Sequence, residues 1–221
     1  MLTIQKWTLN PFQENTYGIH DGQGNAVIID PGMYHSTEKE MVRDWFEEHG
    51  RETKQVWLTH AHLDHVFGCD FLFSSFGTRP ILDERDVPTL ENNERASMMY
   101  GIPMDPCPKP ELLNWENALS IGDLQPHIIF TPGHSPGHVA FYFKEQGAMF
   151  SGDVLFQQSI GRTDLPGGGA DTLRDSIQKI YSEVPSDVVI YSGHGPETTV
   201  GQEAQSNPFV NQLGSGLLQR E

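Results

Sequence analysis

Cysteine is scarce in this chain. Cys69 and Cys107 are the only two, they form no C-x-x-C pair, and two residues cannot make the disulfide framework of a small secreted domain. They read as reduced, partly buried thiols. Positive charge is also short: 14 Lys and Arg stand against 30 Asp and Glu, for a formal net charge of −16. A surface of that sign repels phosphate backbones and anionic lipid, so nucleic acid and membrane are excluded as expected partners. It also means that an anionic substrate must be drawn in by local positive charge, which bound metal ions would supply. No run of about 18 apolar residues is present, so no membrane span is expected. The opening Met1–Lys6 stretch lacks the basic-then-apolar order of a secretory signal, and a cytoplasmic location is the expectation. No internal repeat or low-complexity tract is visible.

What is present suits a globular protein. Hydrophobic residues make up 37% and charged residues 20% of the chain, and the length suits one sizeable core, here expected as a single domain over residues 1–221. Short apolar runs read as strands: Leu2 to Asn10 with a hairpin partner from Asn15 to Ile19, Ala26 to Ile29 stopped by Asp30-Pro31-Gly32, Gln55 to Thr59, Pro80 to Leu82, His127 to Phe130, Val139 to Phe143, Ala148 to Phe150 and Asp187 to Tyr191. Helical periods fall between them. Thr37 and Glu40 have the spacing of a capping box, with Met41, Val42, Trp45 and Phe46 on one face and Gly50 as the stop. Val66 to Phe76, Val87 to Tyr100 and the Leu173, Ile177, Ile180, Tyr181 face read as further helices. Pro103, Pro106, Pro108 and Pro110 make an irregular connection, expected near the entrance of a site. Strands and helices are intermixed, so the fold class is α/β or α+β.

The chemistry gathers behind the strands. Four clusters of His or Asp follow Leu58, Phe130, Phe150 and Tyr191, where loops can converge while sheets hold them in place. The densest is Thr59-His60-Ala61-His62-Leu63-Asp64-His65. Imidazole nitrogen and carboxylate oxygen are the usual ligands of catalytic zinc. In an extended segment His60 and His62 point the same way and can grip one ion. Asp64 and His65 come as the chain turns toward a helix and can face a second. The string cannot complete two sites alone. His134 in Thr131-Pro132-Gly133-His134-Ser135-Pro136-Gly137-His138, Asp153 after Phe150-Ser151-Gly152, and His194 in Ser192-Gly193-His194-Gly195-Pro196 supply the remainder. A balanced set is then His60, His62 and His134 on one metal and Asp64, His65 and His194 on the other. Asp153 bridges them, and a metal-bridging hydroxide finishes both shells. His20, His35, His49 and His127 read as ordinary core or surface histidines. His138 reads as a group that supports the ligands.

These motifs, in this order from Asp30-Pro31-Gly32 to His194-Gly195-Pro196, resemble the metallo-β-lactamase superfamily over nearly the whole chain. The resemblance implies a four-layer αββα sandwich with the metals at one edge. Asp64-His65 together with Asp153 resembles the glyoxalase II branch, the hydroxyacylglutathione hydrolases, in a short bacterial form. True β-lactamases typically carry cysteine at the position of Asp153, so antibiotic hydrolysis is not the favoured activity. Only Gly195 to Glu221 follow His194, too little for the helical C-terminal domain with which typical glyoxalase II enzymes help hold glutathione.

The resemblance implies a binuclear metal-dependent hydrolase of acyl thioesters such as S-lactoylglutathione. Its cofactors are expected to be two divalent ions, zinc first, with iron or manganese as alternatives. Asp64 would relay a proton, Asp30 and His138 would orient ligands, and Arg162 and Lys144 are the cations expected to meet a substrate anion. The loop Ser159 to Asp164 also resembles persulfide dioxygenases, and that alternative would place a single iron on His60, His134 and Asp153.

Overall fold

The computed structural model describes residues 1–116 and 119–213. Two sheets pack face to face. The first has six strands in the order β1 (Thr3–Leu9), β2 (Glu14–His20), β3 (Asn25–Ile29), β4 (Thr53–Trp57), β5 (Pro80–Leu82) and β6 (Glu111–Leu112). β1, β2 and β3 pair antiparallel, and β3 to β6 run parallel. The second sheet is built from β7 (His127–Phe130), β8 (Val139–Phe143) and β9 (Ala148–Gly152). After a small hairpin of β10 (Leu155–Phe156) and β11 (Ser159–Ile160), it is completed by β12 (Val189–Ser192) and β13 (Thr198–Thr199).

Period-two alternation builds the layers. Val27 and Ile29 of β3 point into the inter-sheet core, where they join Tyr17, Trp57, Phe141, Phe143 and Phe150. Ala26 and Ile28 face the other way, under Val42 and Phe46 of α1 (Ser36–His49). The second sheet does the same: Phe141 and Phe143 point inward, while Ala140 and Tyr142 face the outer helical layer. Four layers result, as the motif resemblance implies. Burial of each large side chain stabilises by about 1.5–3 kcal/mol, and Trp57, Phe141, Phe143 and Phe150 are all fully enclosed.

Strand direction decides where the chemistry goes. β3 and β4 are parallel, so Asp30 and Thr59 leave the first sheet at one edge. β9 and β12 are parallel, so Asp153 and Gly193 leave the second sheet together. β8 runs against both β7 and β9, which puts the end of β7 and the start of β8 at that same edge. Backbone hydrogen bonds join the two edges directly: Val139 N–H donates to Thr59 O at 2.8 Å, and Asn15 N–H to Gly193 O at 2.7 Å.

Several local expectations are corrected. The first helix is capped at His35, not by a Thr37–Glu40 box. Glu38 accepts the backbone N–H groups of His35 (2.9 Å) and Tyr34 (2.8 Å), because the helix is capped two residues earlier than the sequence spacing suggests. Met41 lies on the solvent side of that helix, 42% exposed. The expected helix from Val66 is two pieces, α2 (Leu63–Val66) and α3 (Cys69–Phe76), broken where Gly68 N–H donates to Pro31 O at 2.7 Å. Val87 to Tyr100 is likewise α4 (Val87–Glu91) and α5 (Asn93–Tyr100), meeting at Asn92. The chain then continues through α6 (Ala170–Glu183), α7 (Val200–Ser206) and α8 (Pro208–Leu213). Among the described residues no helix is long and apolar enough to cross a membrane.

Candidate metal centre

The loop after β4 is held from behind by Asp30, whose backbone adopts a left-handed φ of 50°. Its carboxylate accepts Thr59 N–H at 2.7 Å, the Thr59 hydroxyl at 2.6 Å and His65 Nδ1–H at 3.1 Å. These bonds fix the imidazole tautomers. The Thr59 hydroxyl gives its proton to Asp30, so at His60 it accepts the Nδ1 hydrogen (3.0 Å), and His60 Nε2 carries the free lone pair. Nδ1 of His134 donates to the backbone oxygen of Arg162 at 2.8 Å, which leaves Nε2 free.

The free nitrogens converge in two groups. His60, His62 and His134 form one, with His62 Nδ1 2.8 Å from His134 Nε2; Asp64, His65 and His194 form the other. Within the second, Asp64 Oδ2 is 3.2 Å from His194 Nε2 and 3.9 Å from His65 Nε2. Asp153 spans them. Oδ2 lies 3.4 Å from His134 Nε2 and 3.5 Å from His194 Nε2, and Oδ1 lies 3.4 Å from His65 Nε2. A third grouping, Asp30 with His60 and His65, has its carboxylate already occupied by Thr59 and His65. All seven sequence-proposed ligands therefore meet in one place.

Among the described residues Asp64 and Asp153 pair with histidines and with no Lys or Arg. Burial, reinforced by the neighbouring His65, keeps His60 well below the ordinary imidazole range, and burial with His134 pushes His62 down to about 3. Both are neutral ligands at physiological pH. Burial opposes ionisation of Asp153, but His65 and His194 outweigh it and hold its carboxyl low. For His65 burial acts downward, and the Asp153 and Asp64 carboxylates overcome it to raise the imidazole well above its usual range. In effect a proton on His65 does what a cation would do, and cation binding must displace it. His60 Nε2, His65 Nε2 and Asp153 Oδ1 are buried with no hydrogen-bond partner among the described residues. Orphaned groups of this kind are costly unless something binds them, and a nitrogen and oxygen donor set of this composition fits zinc, iron or manganese.

His138 is not a ligand. Its Nε2 accepts Asp153 N–H at 3.0 Å, so its Nδ1–H donates to the Thr131 hydroxyl at 2.8 Å, and both ring nitrogens are spent. It positions Asp153 from behind, as the sequence suggests. Gly152, with φ of 49°, and Gly193 pass so close that a Cβ would collide with Thr59 Oγ1 and with Asp153 Oδ1 respectively.

Sequence reasoning missed a set of tethers. Asp86 is buried and accepts Ala61 N–H at 2.6 Å and Gly137 N–H at 3.0 Å, tying the His60 loop to the His134 loop. Asn93 donates to Ala61 O at 2.9 Å, Asn10 to Asp64 O at 3.0 Å, and Asn15 to Ser192 O at 3.0 Å and Gly195 O at 2.8 Å. Glu14 is fully buried, with one oxygen 3.9 Å from His65 Nδ1. The amide-rich stretch Asn10 to Thr16 was a readable signal; Asp86 sits among other acidic residues and has none.

A cavity of about 780 Å³ opens in front of the cluster. Asp64, Asp153, His62, His134 and His194 form its floor. Its walls come from Phe12, from α4 and α5, and from the loop carrying Leu165 and Pro166. The expected substrate cations fare differently. Arg162 lines the cavity, but its guanidinium makes two 2.8 Å bonds to Asp164. Lys144 does not line it: it follows β8 at the end opposite His138, across the sheet from the site. The proline-rich connection is also absent from the cavity walls; Pro103 contributes to a separate small pocket beside Tyr34, while Met104 packs against Leu58 and Ala61.

Two sheets packed face to face, with helices outside and a His/Asp cluster where their loops meet at one rim, define the class, and the family model agrees. The chain belongs to the metallo-beta-lactamase superfamily, whose model matches residues 9–194. Among similar proteins is hydroxyacylglutathione hydrolase GloC of Haemophilus influenzae (strain ATCC 51907 / DSM 11121 / KW20 / Rd), 37% identical over 95% of this chain and 99% of that protein. The solved structure of BLEG-1 B3 metallo-beta-lactamase superposes with a TM-score of 0.84 at 38% identity, over 94% of this chain and 99% of that one. TTHA1623 in a di-iron-bound form gives a TM-score of 0.81 at 38% identity, over 93% and 99%.

Proposed function

We propose that this protein hydrolyses acyl thioesters of small thiols, S-lactoylglutathione among them, using two divalent cations held by His60, His62 and His134 on one side and Asp64, His65 and His194 on the other, with Asp153 between. The observation that carries the reading is the set of three buried, unpartnered atoms, His60 Nε2, His65 Nε2 and Asp153 Oδ1, facing one cluster below an open cavity. The likeness to GloC supports the thioester chemistry, and the di-iron form of TTHA1623 supports a pair of cations; zinc and iron both suit these donors.

Cations bound there supply Lewis-acid polarisation of a carbonyl and a water of lowered pKa. The chain's own residues do the remainder. Asp153 provides negative charge to both ligand groups, so two like-charged ions can sit side by side. Asp64 lies on the cavity floor, where its carboxylate can carry a proton between water and the departing thiol. Asp30 and His138 keep the His65 ring and the Asp153 backbone in their working orientation. The mostly apolar walls give the substrate a surface that excludes bulk water.

The test is a substrate comparison on metal-loaded protein: S-lactoylglutathione, a chromogenic β-lactam, and glutathione persulfide with dissolved oxygen monitored. Thioester cleavage is expected to have the highest kcat/KM. The β-lactam arm matters because BLEG-1 is a similar protein of that description. Preferential β-lactam turnover, or oxygen uptake with the persulfide, would replace the thioester reading by the corresponding alternative.

A further inference from the structure

The cavity in front of the cluster has two basic side chains in its wall, Arg95 and Arg162. Arg162 is already committed. Asp164 accepts from its Nε and Nη2, and that ion pair raises the guanidinium pKa further, with Tyr100 alongside. Arg95 is exposed, and its side chain makes no ion pair or hydrogen bond with any described residue. It sits on α5, whose cavity face follows helical spacing: Asn92, then Arg95 and Ala96, then Met99 and Tyr100. The helix is not adrift. Asn93 at its start donates to the backbone oxygen of Ala61, between the ligands His60 and His62, and Tyr100 at its end meets Phe12 edge-on at 5.5 Å. Arg95 is two residues from the Asn93 anchor, about 3 Å along the helix axis. A free guanidinium is thus held above a floor that carries Asp64 and Asp153, in a chain of net charge −16.

Resting on the thioesterase reading, we propose that Arg95 binds an anionic group on the thiol half of the substrate and makes the enzyme selective for thioesters of anionic thiols. The acyl carbonyl must approach the ligand cluster on the floor, and an anion held by Arg95 would lay the thiol half along the wall formed by α5. Its apolar part lies along Met99 and Tyr100, which are 76% and 50% exposed and form an apolar strip beside the arginine. The planar fork of a guanidinium suits carboxylate and phosphate alike. The carboxylates of a small peptide thiol and the phosphate of a phosphopantetheine-type thiol are the two sources of that chemistry.

The experiment uses metal-loaded wild type, Arg95→Ala and Arg95→Lys with three lactoyl thioesters: of glutathione, of 4′-phosphopantetheine and of the neutral N-acetylcysteamine. A charge-assisted contact of ordinary strength corresponds to about a tenfold rise in KM for the anionic substrates in Arg95→Ala. kcat is expected to stay near wild type, Arg95→Lys to recover much of the loss, and the neutral thioester to be unaffected. The anionic thioester that loses more identifies the source. Equal effects on charged and neutral thioesters, or no effect on either, would overturn the proposal. If wild type cleaves none of the three, the thioesterase reading fails by itself, and Arg95 is then read by calorimetry with S-methylglutathione and S-methyl-4′-phosphopantetheine, thioethers that cannot be hydrolysed. Binding of either one weakened in Arg95→Ala would uphold the anion site. No binding of either to wild type, or equal binding of both to wild type and variant, would overturn it.

Discussion

Asp153→Ala is expected to abolish turnover and to strip metal from the protein while leaving the fold in place. The side chain reaches His134, His65 and His194 at 3.4–3.5 Å and carries charge to both ligand groups. Without it the two groups must face paired cations with Asp64 as the remaining carboxylate among the proposed ligands, and the cations' contribution to the transition state is several kcal/mol. A loss of about 10³-fold or more in kcat/KM follows, since each 1.4 kcal/mol is a factor of ten. The fold should survive because Asp153 makes no contact that the inter-sheet core depends on. Metal analysis and circular dichroism on the same sample separate the two effects. Full turnover by metal-depleted Asp153→Ala would remove the proposed mechanism.

Asp86→Ala is expected to have the largest effect on stability. Its two oxygens satisfy the backbone N–H groups of Ala61 and Gly137, one in each ligand loop. Truncation leaves both N–H groups buried and unpaired, at about 1–3 kcal/mol apiece. Removing a carboxylate whose burial raises its own pKa offsets a part of this. A net loss of about 2–4 kcal/mol corresponds to a Tm lower by roughly 5–15 °C for a chain of this size. Asp86→Asn should be a poor rescue, since its amide would turn an N–H toward one of the two donors. Metal affinity should fall in both variants, because the His60 and His134 loops lose their common anchor. Thermal unfolding of metal-loaded protein checks this, and a Tm within a degree or two of wild type would show that the tether is unimportant.

The contrast between these residues explains what could be read from the sequence. Asp153 was legible because metal chemistry restricts the residue types that can serve, and because it follows a strand that is apolar enough to recognise. His60, His62, Asp64, His65, His134 and His194 were legible for the same reason. Asp86 was not, since its work is to accept two backbone hydrogen bonds from loops 25 and 51 residues away, and nothing local marks a carboxylate for that task. Lys144 shows the opposite error. Its charge suggested substrate contact, but β8 carries it to the far side of the sheet, and only the strand direction reveals that. Arg162 does line the cavity, but Asp164 two residues on claims its guanidinium, a pairing that its charge alone does not announce. The strands were clear where apolar residues alternate or cluster, as in β3 and β8. The helix starts were less so: Glu38 caps the first helix from within an acidic stretch in which Thr37 and Glu40 offer a competing match.

A pair of cation sites joined by Asp153 is tested most directly by metal content and anomalous scattering from crystals of anaerobically purified protein. Two ions per chain are expected, one against His60, His62 and His134 and one against Asp64, His65 and His194, with an Asp153 oxygen on each. A single iron on His60, His134 and Asp153, with His194 and Asp64 unligated, would contradict it.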